Sequence, residues 1–253
     1  MRRGSIIVLA MMLAAPAAAQ PRLTAEGTEF VLHTADGRTL RSADLVGATL
    51  TVKAGGRDTE VTIKSVEEDR HAHRGSVVMH RFVVKDASGA VTDMCAPDAE
   101  GRRLGFPVAD GRGGFELTCT SGAIGKCVRW GYRPWDEQPG GPPLRALHRA
   151  CVHMARADYG GDGRASAREG TLIYFCDRFG VRSCRDDAPM TFEAAWGAAG
   201  AVCVARVRVS ENISLRDLAK RYPRLKPRLG PAACRPDIGM RDPAVLLFNR
   251  SRK

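Results

Sequence analysis

The densest run of chemically competent side chains is "DYGGDGRASARE", from Asp158 to Glu169, with carboxylates at its first, fifth and last positions and Gly163 at its sixth. Oxygen ligands at such offsets wrap a hard cation, because the glycine lets the backbone turn sharply beneath it. Asp158, Asp162 and Glu169 are therefore candidate calcium ligands. Against a calcium loop stand Gly160 at the third position, the positive charge of Arg164, and an exit segment, "TLIYFCD", that reads as a strand where a helix is needed. The competing expectation is a glycine-rich turn in which Asp158 and Asp162 accept backbone amides.

Histidine supplies a second candidate chemistry. General acid–base catalysis needs a group that titrates near working pH and a carboxylate to hold it. His148 with Asp158 or Asp162 is the candidate catalytic set of a secreted hydrolase, and His153 is an alternative imidazole. Ser121 in "CTSGAIG" lacks the Gly-x-Ser-x-Gly turn that would present a nucleophile. Binding is the third possibility, and Trp130, Tyr132 and Trp135 in "VRWGYRPW" are its candidate residues. On a strand, Trp130 and Tyr132 would face one way with Arg129 and Arg133 opposite, a platform for sugar rings or a peptide; otherwise these rings close a core. His71 and His73 lie in the charged loop "EEDRHAHRG" and read as solvent-exposed rather than as metal ligands.

Arg2 and Arg3 precede an apolar run from Ile6 to Ala15 that ends in Ala17-Ala18-Ala19. That is a Sec-type signal peptide, cleaved before Gln20 and shorter than the about 20 apolar residues of a bilayer crossing. No later segment is long and apolar enough to span a membrane, so the expected compartment is periplasmic or extracellular. The eight cysteines, at 95, 119, 127, 151, 176, 184, 203 and 234, all follow this leader. An even count in an exported chain reads as a disulfide framework, and there is no Cys-x-x-Cys pair to suggest zinc. Cys119–Cys127 and Cys176–Cys184, each pair eight residues apart, are the expected short bridges. The net charge is +11; without Arg2 and Arg3, 37 basic residues stand against 28 acidic ones, or +9. A basic surface favours an anionic envelope component, the aromatic platform a carbohydrate, and no motif points to nucleic acid. Calcium is the one cofactor implied.

The elements that must position these residues fall into two halves. From Phe30 to Leu117, alternating runs such as "TEVTIKSV" and "SVVMHRFVVKD" are separated by Asp36-Gly37, Gly55-Gly56, Ser88-Gly89 and Asp110-Gly111, which predicts antiparallel strands. After Pro143, Leu144, Leu147, Cys151 and Met154 recur at helical spacing, predicting a helix up to Ala157. A second helix is predicted from Thr191, with Phe192 and Trp196 on one side and Gly197 and Gly200 at its end, followed by a strand in "AVCVARVRV". Ser214 and Asp217 open a short helix that Pro223 stops, and Cys234 pins the tail. The fold class expected is α+β, an antiparallel β-rich N-terminal half packed with a disulfide-tied α+β C-terminal half. Its regions are the signal peptide 1–19, a β-rich part 20–118, an α+β part 119–210 and a basic extension 211–253.

Three segments in order carry a family resemblance: "CTSGAIGKCVRWGYRPW", "HRACVHMARADYGGDGRASAREGTLI" and "MTFEAAWGAAGAVCVARVR". Over Cys95 to Arg208 the chain resembles the ADYC-domain family, exported bacterial proteins of unassigned function. The family tetrapeptide here reads Ala157-Asp158-Tyr159-Gly160. The fourth family position is cysteine, so a bridge from that position cannot form in this chain, and Cys176 or Cys184 is the expected substitute. The resemblance implies an exported compartment and no particular activity. The function expected is an envelope or extracellular interaction module, with a secreted hydrolase or a calcium-binding loop as alternatives.

Overall fold

The computed structural model describes residues 20–54, 56–86, 88–137, 140–184 and 190–252; the expected signal peptide lies outside them. The first half forms the predicted antiparallel strands. β1 (Arg22–Glu26), β2 (Glu29–His33) and β3 (Thr39–Arg41) make a small sheet. β4 (Thr49–Ala54), β5 (Arg57–Asp69), β6 (Val77–Lys85), β7 (Val91–Asp93), β8 (Gly105–Ala109) and β9 (Phe115–Cys119) make a larger one, in the order β4-β5-β6-β8-β9 with β7 also paired to β6. Strand alternation sends Val61, Ile63 and Phe82 inward to meet Phe30 and Leu45, and leaves Lys64 and Arg81 on the outer face. Within this core, Ser42 Oγ accepts the Phe30 N–H at 2.8 Å and bonds His80 Nε2 at 2.8 Å, while the His80 ring stacks on Phe82.

The second half corrects the expected α+β class. It is strand-rich as well, and the described residues form 13 strands in three antiparallel sheets with only about 18% helix. α1 (Ala123–Arg129) and α2 (Leu144–Arg156) precede β10 (Ile173–Asp177), β11 (Thr191–Gly197) and β12 (Gly200–Val204). α3 (Leu215–Arg221), α4 (Pro236–Arg241) and β13 (Leu247–Ser251) follow, and the sheet runs β10-β13-β11-β12.

The helix expected from Thr191 is therefore strand β11. It lies between β13 and β12, and every residue from Glu193 to Gly197 is buried. A strand covered on both faces loses its polar–apolar alternation, so its apolar run mimics a buried helix. Register shifts at Phe192/Ala194 and Ala195/Trp196 blur the period further. Gly197 and Gly200 flank the β11–β12 turn rather than ending a helix.

A second correction concerns "VRWGYRPW", which is not a strand. Trp130 caps α1, a helix hidden by its own glycines. Gly125 is required there because a Cβ would run into the Cys119 carbonyl. α2 follows its predicted apolar face, burying Leu144, Leu147, Cys151 and Met154, and ends at Ala157 in the left-handed conformation (φ 49°). Ser214 and Asp217 form the capping box of α3.

The disulfides are Cys95–Cys119, Cys127–Cys151, Cys176–Cys184 and Cys203–Cys234. The Cys176–Cys184 pair is the one expected, whereas Cys119 and Cys127 are not joined to each other. Cys119 closes β9 beside Cys95, and α1 instead turns Cys127 toward α2 and Cys151. Cys127–Cys151 joins two helices, and Cys203–Cys234 holds the tail to β12.

Candidate functional site

The motif residues sit at the C-terminal end of α2, whose last turn carries His153 and Arg156. Asp158 follows directly and is buried. Its Oδ1 accepts the N–H groups of Gly161 at 2.9 Å and Asp162 at 3.2 Å, and its Oδ2 accepts that of Gly163 at 2.9 Å. His153 Nδ1 reaches the same Oδ2 at 2.9 Å. Both oxygens are thereby occupied in holding the turn, as the amide-accepting alternative required.

The other predicted residues are distributed around this turn. His148 is buried against α1, with Nε2 at 3.3 Å from the Ile124 carbonyl, and bonds neither Asp158 nor Asp162. Burial pushes its imidazole down to about 4. Asp162 is exposed; its Oδ1 accepts the Arg164 N–H at 3.2 Å and its Oδ2 the Tyr222 hydroxyl at 3.1 Å. Glu169 is exposed. Among the described residues, no three His, Cys, Asp or Glu side chains converge on one point.

The three aromatic candidates do not share a face. Tyr132 is fully buried and donates to Asp177 Oδ2 at 2.9 Å. Burial and that carboxylate push its phenol far above the usual tyrosine range. Trp130 packs on Phe175 with ring centroids 4.6 Å apart, and Trp135 lies beside Gly27 in the β1–β2 turn.

Two polar groupings escaped the sequence reading. In the first, Glu193 is fully buried and paired with Arg208 (Nε–Oε2 3.0 Å). Tyr159 and Asn249 also donate to its carboxylate, at 3.1 and 2.8 Å, and Trp196 donates to Asn249 at 2.8 Å. Arg208 spends its remaining donors on the carbonyls of Met154 and Ala155. The signal was Glu193 itself, a lone carboxylate inside the apolar run "TFEAAWG". In the second, Arg224 donates to four backbone carbonyls, those of Tyr159, Gly160, Ala199 and Ala201, and so clamps the motif turn to the β11–β12 hairpin.

Two grooves open elsewhere on the surface. One, of 630 Å³, runs along the Gly197–Gly200 turn beside Arg224 and Arg228; the other, of 650 Å³, crosses the outer face of β5, β6 and β7. Neither is lined by His148, Asp158 or Asp162.

The chain's place among known proteins rests on one match. The ADYC domain model matches residues 42–210, from the Ser42 turn to just beyond Arg208. The chain belongs to the ADYC-domain family. The match takes in the whole of the larger N-terminal sheet as well as the motif turn, whereas the resemblance carried by the three segments reaches back only to Cys95. No curated protein and no solved structure matches this chain. As a member of the ADYC-domain family it is a disulfide-stabilised domain, and among its described residues no helix is long and apolar enough to cross a membrane.

Proposed function

We propose that this ADYC-domain protein is exported, loses residues 1–19 and acts as an envelope or extracellular interaction module for an anionic component. The observation that carries this reading is the commitment of Asp158. The central residue of the family motif spends both carboxylate oxygens on three backbone amides and an imidazole, which shapes a turn and leaves no lone pair aimed at a substrate. The net positive charge supplies attraction to a polyanion, and four disulfides suit an oxidising compartment. The test is co-sedimentation of the mature chain with isolated envelope material at low and high salt, together with N-terminal sequencing of the exported product. Salt-sensitive capture and a Gln20 start are expected; salt-independent behaviour removes the anionic partner.

One contact favours a second reading as a hydrolase. His153 Nδ1 bonds a buried carboxylate, an arrangement that orients an imidazole for proton transfer. Under this reading His153→Ala and Asp158→Asn abolish turnover of ester, peptide or glycoside substrates while the fold persists. Under the module reading they lower the melting temperature, and no turnover is there to lose.

A further inference from the structure

The outer face of the N-terminal sheet holds a grouping used by neither the motif turn nor any disulfide. β6 changes partner along its length. β8 pairs with it at His80, and β7 pairs with it from Val83 to Lys85. Between these contacts the sheet forks, and Arg81 projects from the fork. Arg81 Nε and Nη2 donate to the two oxygens of Asp93 at 2.6 and 3.1 Å, and Arg103 Nε lies 3.9 Å from the same carboxylate. Both arginines remain about half exposed, at 50% and 49%.

The 650 Å³ groove beside this pair is lined by Thr62, Lys64, Val83, Val91 and Thr92 in addition. It continues into a 320 Å³ groove past Arg102 and Leu104, with Arg81, Asp93 and Arg103 common to both. Three cations, Lys64, Arg81 and Arg103, thus face two anions, Glu67 and Asp93, while Arg102 is held by Glu100 at 2.9 Å with Asp98 and Asp69 at 3.4 and 3.8 Å. The hydroxyls of Thr62 and Thr92 alternate with the apolar surfaces of Val83 and the 62%-exposed Val91.

We infer that this forked groove binds a carboxylate-bearing polysaccharide, an inference that rests on the anionic-partner reading above. Asp93 holds one guanidinium in the planar two-point geometry that a carboxylate takes, and fixes it beside a second. A row of ligand carboxylates extends that pattern along Arg103 and Lys64. The threonine hydroxyls meet sugar hydroxyls, and the valines cover the C–H faces of the rings. An alternation of apolar and hydroxyl-bearing side chains matches a sugar polymer better than a bare polyphosphate.

The test uses the mature chain and measures binding of polygalacturonate oligomers, inorganic polyphosphate and neutral dextran oligomers by calorimetry. Polygalacturonate is expected to bind, dextran not to bind, and polyphosphate to bind more weakly. The variant Lys64→Gln, Arg81→Gln, Arg103→Gln should weaken polygalacturonate by about tenfold, as for three exposed charge contacts. The control Arg216→Gln, Lys226→Gln alters exposed cations on the α3 side and should leave affinity nearly unchanged. Equal weakening by both variants, or polyphosphate binding as tight as polygalacturonate, overturns the inference and leaves the anionic-partner reading standing. Failure of the unmodified chain to bind any polyanion overturns both. Should loss of the Arg81–Asp93 pair unfold the sheet, Lys64→Gln with Arg103→Gln carries the same test.

Discussion

Gly160 lies directly beneath the ring of Tyr222, and a Cβ at position 160 would overlap the phenol carbons. The family places cysteine at this position; here the tyrosine that follows α3 fills the space and donates to Asp162. Gly160→Ala or Gly160→Cys should lower the melting temperature by several degrees, and Tyr222→Gly in the Gly160→Ala background should recover part of the loss. A thermal-denaturation cycle over the four forms checks this; strict additivity would separate the two residues.

Asp158→Ala removes the acceptor of three backbone amides in a buried turn and strips His153 of its partner. The expected cost is roughly 2–4 kcal/mol, measured by urea unfolding. Because the carboxylate is already saturated, millimolar calcium should leave the melting temperature of the unaltered protein unchanged. A rise would mean that Asp158 exchanges its amides for the ion.

Stability should fall on acidification through a window set by two buried histidines. His80 and His148 each have an imidazole lowered from 6.5 to about 4 by burial, so the folded protein keeps them neutral while the unfolded chain takes up protons. Their contribution is complete above pH 6.5 and is lost as the pH falls from there toward 4, on the order of 3 kcal/mol for each. Unfolding titrations at pH 7.5, 5.5 and 4 measure it. His80→Gln, which cannot protonate, should flatten about half of the slope; an unaltered slope would place the effect elsewhere.

The Glu193–Arg208 pair gives a fourth expectation. Arg208→Met strands a fully buried carboxylate and should cost about 3–5 kcal/mol by chemical denaturation. Adding Glu193→Gln, which keeps an acceptor for Tyr159 and Asn249 but carries no charge, should restore part of that loss. No recovery would mean that Arg208 acts through the Met154 and Ala155 carbonyls alone.

What the sequence made legible follows from where its periodicity is clean. β5 and β6 have one wet and one dry face, so Val61, Ile63 and Phe82 announce their strands, and the face of α2 is as plain in Leu144, Leu147 and Met154. β11 is dry on both faces and therefore carried no period, which is why the spacing of Phe192 and Trp196 pointed to a helix. α1 was masked by Gly122 and Gly125, and with it went the Cys127–Cys151 bridge and the orientation of Trp130 and Tyr132. At the motif turn, residue types alone indicated that Asp158 holds a glycine-rich loop. They could not indicate that Tyr222 and Arg224, more than sixty residues away, complete it.

The position of β13 in its sheet has a consequence for assembly. The strand that comes last along the chain is inserted between β10 and β11, and it brings Asn249 to Glu193 and Trp196. Until residues 247–251 arrive, β10 lacks its partner and β11 has only its hairpin with β12, so this sheet cannot be completed progressively from the N-terminal side. A premature stop just upstream of Leu247 would take the keystone out of the arch rather than shorten a loose end.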